Sequence, residues 1–68
     1  MLIELGKIYR DTITGFEGVA LERIERFNST PKVCIQPTGL NDGKIPESQW
    51  IDEWRVEEKN GASQKVGF

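Results

Sequence analysis

Phe16-Glu17-Gly18-Val19-Ala20-Leu21-Glu22-Arg23-Ile24-Glu25-Arg26-Phe27 is the stretch on which the fold turns. Read with a period of 3.6, it places Phe16, Ala20, Ile24 and Phe27 on one face and sets Glu22 and Arg26 as an i, i+4 pair. Gly18 weakens such a helix by about 1 kcal/mol relative to alanine. Read with a period of 2, Val19 and Leu21 alternate and Ile24 falls out of step. A strand here needs a bulge near Glu22-Arg23, which also bends and twists it. Periodicity alone does not separate a helix from a bent strand.

The flanking sequence is cut into short pieces. Thr12-Ile13-Thr14-Gly15 is a turn candidate, Asn28-Ser29-Thr30-Pro31 a second break, and Pro37-Thr38-Gly39-Leu40-Asn41-Asp42-Gly43-Lys44 a longer loop closed by Pro46. Asp42-Gly43 is a strong local turn signal. The pieces between breaks have the length of strands more than of helices. Lys7–Asp11 reads as a first strand. Lys32–Gln36 is the cleanest one, with β-branched Val33 and Ile35 inside and Pro31 and Pro37 at its ends. Residues 46–58 again read two ways. A helix starting at Pro46 puts Trp50, Ile51 and Trp54 on one face but leaves Val56 off it. As extended structure, residues 50–52 and 54–57 are two short strands with a corner between them. No repeat and no linker precede residue 59. Residues 59–68 hold two glycines and small polar side chains, and read as a frayed, flexible tail beyond a single domain at residues 1–58.

A chain of 68 residues makes one small domain at most. Nine Lys/Arg against eleven Asp/Glu give a net charge of −2, which excludes a strongly basic nucleic-acid binder. With no histidine and one cysteine, neither an internal disulfide nor a single-chain tetrahedral Cys/His zinc site can form. Glu4 interrupts the N-terminal apolar run, and no stretch approaches the ~20 apolar residues of a membrane-spanning helix. The expectation is a cytoplasmic chain without membrane, metal or cofactor. The glycosylation pattern at Asn28-Ser29-Thr30 is followed by Pro31 and is set aside.

Gly6-Lys7-Ile8-Tyr9-Arg10-Asp11 followed by Thr14-Gly15-Phe16-Glu17-Gly18-Val19-Ala20 resembles small proteins of tailed phages and prophages. Those open with a strand ending in Asp, then Ser/Thr-Gly-Phe-x-Gly and a β-branched residue. The resemblance extends through Val33–Pro37, Asp42–Glu47 and Gln49–Glu53, and covers roughly residues 6–57. It implies an all-β fold, a small five-stranded SH3-like (KOW-like) barrel with a flexible C-terminal tail, and a long bent strand at residues 16–27. Trp54 and the tail depart from the pattern and inherit nothing.

The residue types for catalysis are thin. Cys34 has no histidine to activate it and sits in an apolar strand, where a thiol behaves as a small hydrophobe. The carboxylate pairs Asp52-Glu53 and Glu57-Glu58 read as a solvated face. Asp42 reads as a turn residue rather than a cation ligand. The expectation is therefore a non-enzymatic binding module acting on another protein, a bacterial defence component being one candidate. Its contacts would come from Trp54, Arg55, Tyr9 and Phe16, since aromatics beside arginine are the composition of interface hot spots. Trp50 and Ile51 are expected to fill the core. Open sheet edges would also allow a homodimer. Two alternatives stay open. One is a KOW-like RNA- or DNA-binding module using Lys7, Arg10, Arg23, Arg26 and Lys32, though Asp11, Glu17, Glu22 and Glu25 interleave with them. The other is an oligomeric sponge for a nucleotide signal.

Overall fold

Lys7–Asp11 forms β1, and its alternation decides what goes inside: Tyr9 and Asp11 point into the protein and Arg10 points out. The computed structural model describes residues 3–63, with side chains to residue 59. Residues 12–15 turn the chain. Gly15 closes this turn at φ +83°, a conformation open to glycine at little cost, and its N–H donates to the Asp11 carbonyl at 2.8 Å.

The ambiguous stretch is extended. β2 spans Glu17–Arg26, and its register against β3 (Ser29–Gln36) shifts between Ala20 and Glu22 and again between Ile24 and Arg26. The first shift is the expected bulge, one step earlier than the pattern suggests. It turns Arg23 to the same side as Val33, its partner in the ladder. Gly18 shows why the strand prevails over the helix. A Cβ there would stand 2.2 Å from the Gln36 carbonyl oxygen, so the β2–β3 approach requires a residue without one. Pro31 lies inside β3 rather than at its end. It sits beside the second register shift, where the ladder is already interrupted and a missing N–H removes no regular bond.

β4 (Gln49–Asp52) pairs with β3, a one-turn 3-10 helix (Glu53–Arg55) makes the corner, and β5 (Val56–Ser63) returns to pair with β1. The boundary expected at residue 58 thus falls inside β5, and residues 64–68 of the expected tail lie outside the described residues. All five strands are antiparallel neighbours in one sheet, ordered β4-β3-β2-β1-β5. β4 and β5 end the sheet and do not pair with each other, so the all-β expectation holds while the sheet is only approximately a barrel.

The sheet curls around one core of Ile3, Tyr9, Ala20, Val33, Ile35, Ile51 and Val56, with Phe16 packed against it. Val33 and Ile35 are fully buried, each contributing about 1.5–3 kcal/mol of hydrophobic stabilisation. The N-terminal segment belongs to this core through Ile3, and the Glu4 N–H donates to the Tyr9 hydroxyl at 2.9 Å. Among the described residues, no helix is long and apolar enough to cross a membrane.

Candidate functional site

Asp11 ends β1 facing inward, where a bare carboxylate would be costly, and four donors surround it. Arg55 donates Nε to Oδ1 at 3.0 Å and Nη2 to Oδ2 at 2.5 Å, a bidentate pair. The Ile13 N–H donates to Oδ1 at 3.2 Å and the Thr14 hydroxyl to Oδ2 at 2.5 Å. Thr12 completes the clamp in the other direction, donating its N–H and hydroxyl to the Arg55 carbonyl at 2.9 and 2.7 Å. These bonds lock the β1–β2 turn to the 3-10 corner. Hydrogen bonds from Arg55, ahead of those from Thr14 and Ile13, hold the Asp11 carboxyl well below the usual carboxylate range, and Asp11 in turn raises Arg55.

Beside this clamp lies an open groove of about 600 Å³ lined by Asp11, Thr14, Gly15, Phe16, Gln49, Trp50, Ile51 and Arg55. It is bounded by β4 and Arg55 on one side and by the β1–β2 turn on the other. Phe16, Ile51 and Trp50 supply apolar surface; Thr14, Gln49 and the Asp11–Arg55 pair supply polar groups.

The groove brings together Phe16 and Arg55 of the four residues expected to contact a partner. Trp54 projects from the 3-10 corner between Glu53 and Arg55 with 67% of its surface exposed. Tyr9 is a correction: strand alternation points it inward, it is 1% exposed, and its ring fills the core where no partner can reach. Trp50 is the opposite correction. Only one of two consecutive strand residues can face the core, and that residue is Ile51, which leaves Trp50 48% exposed at the groove. The Trp50-Ile51 alternation held this signal. Arg55 carries a further adjustment, because its pairing with buried Asp11 makes it a support of the fold as well as a lining residue.

The cations proposed for nucleic acid do not gather. Lys7 lies 3.2 Å from Glu4 and 3.5 Å from Glu58, and Arg10 lies 3.8 Å from Glu57. Lys32 meets Asp52 at 2.5 Å, while Arg23 pairs with Glu25 at 3.1 Å and bonds Glu53 through its guanidinium. Two of these are direct cross-strand partners, Arg10 with Glu57 and Lys32 with Asp52. Of the five, Arg26 alone has no carboxylate within 4.0 Å among the described residues. Bonds from Lys32 also lower Asp52 from its ordinary value. Glu53 is not part of a solvated face. It is buried and held by Arg23, which it raises further above the ordinary arginine value.

Cys34 is buried in β3, directly across from Trp50. Asp42 and Gly43 form the tip of a tight turn, both at positive φ, with Asn41 and Lys44 exchanging N–H···O bonds of 2.8 and 3.0 Å. Among the described residues, no three Asp, Glu, Cys or His side chains come together as a cation site. Compared with protein-family models, with curated proteins and with solved structures, the chain matches none.

Proposed function

We propose that this protein is a non-enzymatic binding module, encoded by a phage or prophage, that captures a partner protein at the groove beside β4. The observation that supports this reading most directly is the exposure of two tryptophans, Trp50 at the groove and Trp54 on the adjoining corner. An exposed indole in water gains little; desolvated in a partner it is among the strongest contacts a surface can make. The charged groups of the lining are matched to each other through the Asp11–Arg55 pair, so contact relies on shape and apolar fit. The partner is a host or phage protein, with bacterial defence components among the candidates. The nucleic-acid alternative has less support, because four of its five cations already face carboxylates and counterion release needs them turned toward phosphate.

The test is affinity capture from cross-linked bacterial cells expressing the tagged chain. Trp50→Ala with Trp54→Ala should remove the captured partner, each truncation of a hot-spot tryptophan costing about 2 kcal/mol or more of affinity. Phe27→Ala, at an exposed turn away from the groove, serves as the control and should leave capture unchanged. Equal capture by the tryptophan double variant and the parent would refute the site.

A further inference from the structure

We propose that the groove takes up an extended, uncharged peptide segment of the partner by adding it as a strand to the free edge of β4. This rests on the groove being the binding surface and says how it binds. Side chains alternate across a strand, so three consecutive strand residues cannot all line a cavity from one face. Gln49, Trp50 and Ile51 are consecutive and all line the groove, which therefore runs along the edge of β4. β3 occupies the other edge, and among the described residues Gln49, Trp50 and Ile51 make no backbone hydrogen bond to any segment other than β3. Alternate N–H and C=O groups of β4 thus face the groove unpaired, the arrangement that accepts a further strand.

The opposite wall is the β1–β2 turn, with Thr14, Gly15 and Phe16. A strand laid against β4 has this turn at its far side, so it must be a single segment with nothing paired beyond it. The edge of a second copy carries its own neighbouring strand and does not meet that condition. Four residues of β4 offer an edge of about 13 Å. Alternate side chains of the guest would rest on Phe16 and Trp50, and its other side chains would face solvent. Charge sets the remaining selectivity. Asp11 is fully bonded, Arg55 has committed Nε and Nη2 to it, and Asp52 at the end of β4 is bonded to Lys32. A charged guest side chain in the groove would meet a carboxylate and a guanidinium already paired with each other.

The probe is a phage-displayed library of random dodecapeptides selected on the full chain. The expected winners alternate apolar and polar residues and lack proline in the paired stretch. Binding should shift the amide resonances of residues 49–51 and 14–16, and N-methylation of alternate peptide amides should weaken it about tenfold or more, because it removes backbone bonds and keeps the side chains. Without any peptide, at least one amide among residues 49–51 should exchange with solvent as an unbonded group does. Proline-rich winners, no winners, indifference to N-methylation, shifts elsewhere, protection of all three β4 amides, or a dimer that the peptide leaves intact would each overturn strand addition. Partner capture that depends on Trp50 and Trp54, combined with indifference to N-methylation, removes strand addition alone. Capture indifferent to both tryptophans removes the binding reading itself.

Discussion

Replacing Gly18 by alanine adds one methyl group at a point where two backbones touch. The new Cβ would lie 2.2 Å from the Gln36 oxygen, 2.5 Å from the Gln36 carbonyl carbon and 2.7 Å from the Pro37 nitrogen. Ordinary contact begins at 3.4 Å, so β2 and β3 must move apart there before the methyl group fits. All three obstructing atoms are main chain, which cannot swing aside as a side-chain tip does. Overpacking of this kind costs about 1–3 kcal/mol, and the backbone clash puts Gly18→Ala near 3. A chain of this length has a total stability of about 3–10 kcal/mol. The substitution should lower Tm by about 12–24 °C, read by circular dichroism on heating and by urea titration. The backbone of Gly18 lies outside the positive-φ region, so without the clash alanine would stabilise by about 0.4–1 kcal/mol through the unfolded chain. The two effects have opposite signs. A Gly18→Ala variant as stable as the parent, or more so, would refute the β2–β3 packing described above.

Asp11→Asn should destabilise the fold and make it less sensitive to acid. The folded-state pKa of Asp11 is depressed, so its contribution is present above the ordinary aspartate range and is lost as pH falls through that range toward the folded value. The parent should therefore lose stability in urea titrations below about pH 4 more steeply than the variant, and parallel pH profiles would count against the clamp. Ile35→Ala, in the centre of the core, should cost about 2–5 kcal/mol, whereas Ile45→Ala on the exposed loop should stay within about 0.5 kcal/mol. Equal urea midpoints for the two isoleucine variants would show that the core has been misplaced.

Where the residues announce their own backbone, the sequence is a good guide. Val33 and Ile35 mark β3, Gly15 marks the first turn and Asp42-Gly43 the loop tip, because each of these depends on interactions a few residues long. Residues 16–27 were balanced between two periods, and what decided them is the approach of Gln36, which lies 18 residues away from Gly18 in the chain. The site divides in the same way. Phe16, Trp54 and Arg55 were legible as candidates from composition, whereas Trp50 and Tyr9 exchanged places because a short strand has two faces and the sequence does not label which one is covered. The Asp11–Arg55 pair spans 44 positions and has no local signature at either end.

The same pairing has a consequence for biosynthesis. β1 sits between β2 and β5, so it leaves the ribosome well before the strand that flanks it on one side, and the guanidinium that neutralises Asp11 arrives later than every residue of β2, β3 and β4. Until then the nascent sheet carries an unpaired inward carboxylate and a core that lacks Val56. Such distant partners make for slow folding among domains of this size, in the millisecond-to-second range. Folding is therefore completed only after β5 has been synthesised, and ribosome-stalled chains lacking it should remain open to protease.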